Sequence, residues 1–127
     1  MRIEHIAINV AQPKEVAAWY IKNCDMKIAR EVGGPAEVHF LSDSSGNTLV
    51  EIYNNPKAAI PNYADQHPLI LHFAFVSENA DADRSRLEAA GATFVVDETT
   101  PAGDRLVMLR DPWGLAIQLC CRKTPMI

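Results

Sequence analysis

The run Ile3-Glu4-His5-Ile6-Ala7-Ile8-Asn9-Val10 is β-branched and alternating, the pattern of a strand, and it returns 67 residues later as Ile70-Leu71-His72-Phe73-Ala74-Phe75-Val76-Ser77. His5 and His72 hold the same place in the two copies. The spacing recurs near the end of each copy, where Glu51 in Val50-Glu51-Ile52-Tyr53 and Gln118 in Ile117-Gln118-Leu119-Cys120 again differ by 67. Two polar pairs at one offset, each inside a strand-like run, make an internal duplication the main organising feature of the chain.

The intervening stretches agree with a duplication. Pro13 suits a first helical position, and Val16, Ala17, Trp19 and Tyr20 form an apolar stripe that fades by Asn23. Strand-like runs follow over residues 26–32, 36–42 and 48–53, the last two separated by the turn formers Asp43-Ser44-Ser45-Gly46-Asn47. Residues 54–68 contain three prolines and little periodicity, and they read as a linker. The second copy opens with a strand over residues 69–76. A helix over 79–90 follows, with Asp81 and Asp83 in its first turn and Gly91 just past its end. Strands over 92–97, 105–110 and 115–121 close the copy, the last two joined by Asp111-Pro112-Trp113-Gly114. The hairpin loops of the two copies differ by about one residue. The expectation is a single α+β domain over residues 1–127, made of two β-α-β-β-β modules, about 1–55 and 69–127, with a linker at about 56–68.

Composition excludes several classes. A chain of 127 residues has room for about one domain, and 48% hydrophobic with 22% charged residues describes an ordinary globular protein. The net charge of −4, with Lys and Arg scattered, supplies no basic stripe for a phosphate backbone, so nucleic acid is not an expected partner. No apolar run approaches the roughly 18 residues of a membrane span, and Arg2, Glu4 and His5 interrupt the start where a secretory signal would be apolar. The reading is a mature cytoplasmic protein. Cys24, Cys120 and Cys121 make neither a disulfide framework nor a zinc-ribbon spacing and read as reduced, partly buried thiols.

Side chains alternate across a strand, so His5 shares a face with Ile3 and Ala7, opposite Ile6, Ile8 and Val10. By the same rule His72 lies with Ile70 and Ala74, Glu51 with Leu49 and Tyr53, and Gln118 with Ala116 and Cys120. If the helices cover the bulky rows, His5, Glu51, His72 and Gln118 occupy the other faces among small neighbours that leave room for a ligand. A lone histidine on an apolar face is ordinarily a hydrogen-bonded core residue. Four such groups in duplicated positions favour a metal instead, because a carboxylate or imidazole away from water needs a partner. Two imidazole nitrogens, a carboxylate and an amide oxygen suit Zn, Ni, Co, Mn or Fe(II), with positions left for water or substrate.

At these residues the chain resembles the vicinal oxygen chelate superfamily, which includes glyoxalase I, bleomycin and fosfomycin resistance proteins, methylmalonyl-CoA epimerase and extradiol dioxygenases. The likeness is carried by the paired modules, Glu4-His5-Ile6-Ala7-Ile8, the Glu51 strand, Leu71-His72-Phe73, and the Asp111-Pro112-Trp113-Gly114 turn before Ile117-Gln118-Leu119. It implies a glyoxalase-like fold, with mixed and antiparallel sheets curled around a cleft, and a divalent metal that chelates neighbouring oxygens of a small-molecule substrate. It places His5, Glu51, His72 and Gln118 at the four ligand positions and implies a homodimer. The chain departs from the commonest pattern at Gln118, where Glu is usual. An amide ligates without charge and is no base near neutral pH, so the ion would keep a formal charge of +1 and the role of base falls to Glu51.

The leading expectation is a divalent-metal lyase or isomerase of the glyoxalase type, working through a metal-stabilised enediolate. The rivals are a metal-free, ligand-sequestering protein of the bleomycin-resistance kind and an Fe(II) dioxygenase. Among the remaining residues, His39 and His67 read as edge or solvent positions, Trp19 as core and Trp113 as a turn aromatic. Arg30, Arg105 and Arg110 are candidate anchors for a substrate carboxylate or phosphate, with a solvated strand-edge role as the expected alternative.

Overall fold

A computed structural model describes residues 1–126. The chain divides into two compact units, the first over Met1–Pro61 and the second beginning at Asn62. In the first, β1 (Ile6–Asn9), α1 (Pro13–Asn23), β2 (Lys27–Val32), β3 (Val38–Ser42) and β4 (Leu49–Tyr53) follow one another. In the second, β5 (His72–Val76), α2 (Ala80–Ala89), β6 (Thr93–Thr99), β7 (Arg105–Arg110) and β8 (Ala116–Cys121) repeat that order. The sheets run β1-β4-β3-β2 and β5-β8-β7-β6, each with one parallel pair, β1 with β4 or β5 with β8, and two antiparallel pairs. This is the α+β, two-module architecture read from the duplication.

The offset of 67 holds for the first and last strands of each unit, since Ala7 pairs with Glu51 as Ala74 pairs with Gln118. The inner strands slide. Phe40, the antiparallel partner of Glu51, corresponds to Met108, the partner of Gln118, an offset of 68. The β-bulge between Ile28 and Arg30 corresponds to the one between Phe94 and Val96, an offset of 66. Loop lengths absorb these slips while both sheets keep the same pleat, because a one-residue slip within a ladder would turn every side chain to the wrong face.

The core of each unit lies between helix and sheet. Val16, Ala17, Trp19 and Tyr20 of α1 are buried, as are Ile8, Leu41, Val50 and Ile52 of the sheet. In the second unit Ala80 and Leu87 of α2 are buried, with Val107, Leu109, Ile117 and Leu119 in its sheet. The strand expected over 3–10 is shorter, Ile6–Asn9, so His5 stands one residue ahead of it. The run read as a linker contains a 3-10 turn at Tyr63–Asp65 that belongs to the second unit. Arg110 donates to the carbonyls of Tyr63, Gln66 and Gly114. Gly114, at φ +92, comes so close to Ala64 that a Cβ would lie 2.7 Å from it, which only glycine permits. No helix is long and apolar enough to cross a membrane among the described residues.

Candidate functional site

The face of the first sheet away from α1 is ordered in rows, because register partners share a face. One row runs Ala7, Glu51, Phe40, Arg30 across β1, β4, β3 and β2. His5 continues that face ahead of β1. Its Nε2 lies 3.3 Å from Oε2 of Glu51, and its ring meets Phe40 edge-on at 5.4 Å. Nδ1 is hydrogen-bonded to the carboxylate of Glu4. That bond raises the imidazole pKa above 6.5; desolvation opposes it, and the charges of Glu4 and Glu51 reinforce it. Both histidine and glutamate are half-buried.

In the second sheet the matching row is Ala74, Gln118, Met108, Val96. His72 opens β5 opposite Ala116, so it sits diagonally from Gln118 on the same face. Its Nδ1 is 3.2 Å from the carbonyl oxygen of Pro68. The thiol of Cys120 donates to Oε1 of Gln118 at 3.3 Å, and burial pushes that thiol's pKa up and keeps its proton in place.

These details bear on whether a metal fits. In each histidine Nδ1 lies against an oxygen, of Glu4 or Pro68, and in the neutral ring that donates from Nδ1 the lone pair is on Nε2. An oriented imidazole of this kind is the usual state of a metal-bound histidine. The separation of 3.3 Å between His5 Nε2 and Glu51 Oε2 suits two donors at about 2.0–2.2 Å from one ion. Among the described residues no group of three or more His, Cys, Asp and Glu could hold a metal. Each unit supplies a pair, and one donor of the second pair is the amide of Gln118. The donor types of each pair suit a divalent ion: His5 and Glu51 are brought into contact in the first unit, and His72 and Gln118 share a face in the second.

Several expectations change. His39 does not take an edge or solvent position: it pairs with Ile52 on the helix-covered side of inner strand β3, accepted by the Glu37 carbonyl at Nδ1 and 3.5 Å from Glu31. Arg105 and Arg110 lie on inner strand β7, not at a solvated edge. Arg105 is bonded to both Asp81 and Asp97, and Arg110 is committed to three backbone carbonyls. Neither guanidinium is free for a substrate. Trp19 is core as read, and His67 is exposed. Glu4, Pro68 and Phe40 were missed as neighbours of the histidines. No strand pattern marks the first two, because both precede the pleat that strand alternation describes.

Residues 2–119 match the glyoxalase/bleomycin resistance protein/dioxygenase superfamily. The chain belongs to that superfamily. Solved structures share its fold. A glyoxalase family protein from Bacillus cereus is 18% identical with a TM-score of 0.75, covering 94% of this chain and 93% of its own. A superfamily member from Sphaerobacter thermophilus DSM 20745 is 15% identical with a TM-score of 0.72, covering 96% and 98%. TnmS3, an antibiotic binding protein from Streptomyces sp. CB03234, is 21% identical with a TM-score of 0.68, covering 94% and 96%. No curated protein matches the chain.

Proposed function

We propose that the protein is a divalent-metal lyase or isomerase of the glyoxalase type, acting on a small substrate with neighbouring oxygens, and that His5, Glu51, His72 and Gln118 hold the ion. The observation that carries this reading is the shared orientation of the two histidines, each with Nδ1 against an oxygen, at positions 67 residues apart, together with the approach of His5 Nε2 to Glu51. When bound, a divalent ion of this class polarises the substrate's oxygens as a Lewis acid. The chain's own part is acid–base chemistry and positioning. Glu51 is the only carboxylate of the set and serves as base, with its Oε2 held toward His5. Gln118 orients through its amide and takes no proton near neutral pH. We further propose that two copies pair, which would cover apolar residues such as Ile70 and Val76, respectively 71% and 90% exposed.

Metal analysis of protein purified without chelators tests the reading. About one divalent ion per chain is expected in the native protein, and His5→Ala or His72→Ala should lower that content at least tenfold, since each removes a ligand. Absence of bound metal in native protein purified under metal-replete conditions overturns it. A metal-free sequestering protein is the second reading. It is supported by the described antibiotic-binding neighbour, and it predicts histidine variants that bind ligand as the native protein does.

A further inference from the structure

We propose that Arg30 anchors an anionic group, a carboxylate or a phosphate, at the end of the substrate remote from its neighbouring oxygens. The inference rests on the proposed function and names the substrate class of that same site. Its basis is the row Ala7, Glu51, Phe40, Arg30, which places the arginine on the face and in the line of Glu51 with only Phe40 between them. Two strand spacings of about 4.8 Å separate the Cα atoms of Glu51 and Arg30 by about 10 Å, a span that one small molecule bridges once the guanidinium extends inward. Phe40 forms the floor of that span and already touches the ring of His5.

Charge is arranged to match. Among the described residues the guanidinium of Arg30 has no ion pair or hydrogen bond, whereas Arg105 and Arg110 are both consumed by the fold. The residues of β2 on this face are Lys27, Arg30 and Val32, by their pairing with Ser42, Phe40 and Val38, so its only charges there are positive. The corresponding residues of β6 are Thr93, Val96 and Glu98, paired with Arg110, Met108 and Leu106. The duplicated strand therefore carries no cation on this face, and the positive edge is particular to the first unit. A guanidinium suits the role because its planar fork grips a carboxylate or phosphate with two parallel hydrogen bonds.

Binding of three probes to the whole protein, followed by ligand-observed NMR, tests the proposal. Hydroxyacetone carries neighbouring oxygens without an anion, 5-hydroxy-4-oxopentanoate adds a carboxylate, and dihydroxyacetone phosphate adds a phosphate; the tighter anionic probe identifies the group. At least one is expected to bind about tenfold tighter than hydroxyacetone. Arg30→Gln should erase that preference without changing hydroxyacetone binding, Arg30→Lys should keep part of it, and Lys27→Gln should weaken it less. Equal binding of all three probes by the native protein, or an anionic preference that survives Arg30→Gln, overturns the proposal. Metal content separates the two ideas: Arg30→Gln retaining the native metal but losing anion preference supports both, while native protein without metal that still shows an Arg30-dependent preference overturns the metal reading and supports the anchor.

Discussion

Helix α1 buries Val16, Ala17, Trp19 and Tyr20 against its sheet, whereas α2, in the same place in the second unit, buries only Ala80 and Leu87. Polar contacts are concentrated at α2. The Asn79 side chain caps the helix by accepting from the amide of Ala82. Asp83 accepts from Ser77 at 2.6 Å and pairs with Arg86, and Asp81 pairs with Arg105, which also holds Asp97 on β6. Arg84 lies over the ring of Phe94 at 3.7 Å. One topology thus tolerates two ways of attaching its helix. Apolar burial is non-directional and involves no titrating charge, while a polar clamp depends on pH and on ionic screening.

Core truncation gives the largest expected effects. Tyr20, fully buried, should cost about 4 kcal/mol on replacement by Ala and Leu87 about 3 kcal/mol, measured by denaturant unfolding. A Leu87→Ala loss as large as that of Tyr20→Ala would break the contrast, because it would show α2 to depend on apolar packing just as heavily. Next is the cap: Asn79→Ala should cost about 1 kcal/mol, with the loss of amide protection confined to α2.

The smallest effect is that of pH and salt on the clamp. Four aspartates of the second unit have pKa values below 3.8 in the folded protein: Asp81 and Asp97 through bonds to Arg105, Asp83 through Ser77, and Asp104 through the Lys123 amide. In the first unit Asp43 is lowered, burial opposing the Ser45 hydroxyl and neighbouring amides. A depressed carboxylate pKa stabilises fully above the unfolded value and loses its contribution as pH falls through the folded one. As pH falls below about 4, hydrogen exchange corrected for intrinsic rates should therefore show α2 losing protection before α1. High salt should act in the same direction and more weakly, and simultaneous loss in both helices would remove the distinction.

Much of the site was legible because strand alternation is a local rule. His5, Glu51, His72 and Gln118 could be assigned to faces from their immediate neighbours alone, and the pairings of Ala7 with Glu51 and Ala74 with Gln118 agree with that assignment. Cys120 was placed on the face of Gln118 by the same rule, but its bond to the amide oxygen required side-chain coordinates. His39 was misread because its face depended on recognising β3 as an inner strand with Leu41 in the core.

The sequence by itself determined the duplication, the order of elements, the α+β class and the four residues that recur at one offset in the two modules, since each follows from periodicity and spacing along the chain. Only the tertiary structure decided the fates of the arginines. Arg105 finds Asp81 24 residues away and Arg110 finds the Tyr63 carbonyl 47 residues away, while Arg30 is left facing the row of Glu51. A guanidinium is long and finds its acceptors through space, so its partner cannot be read from its neighbours in sequence.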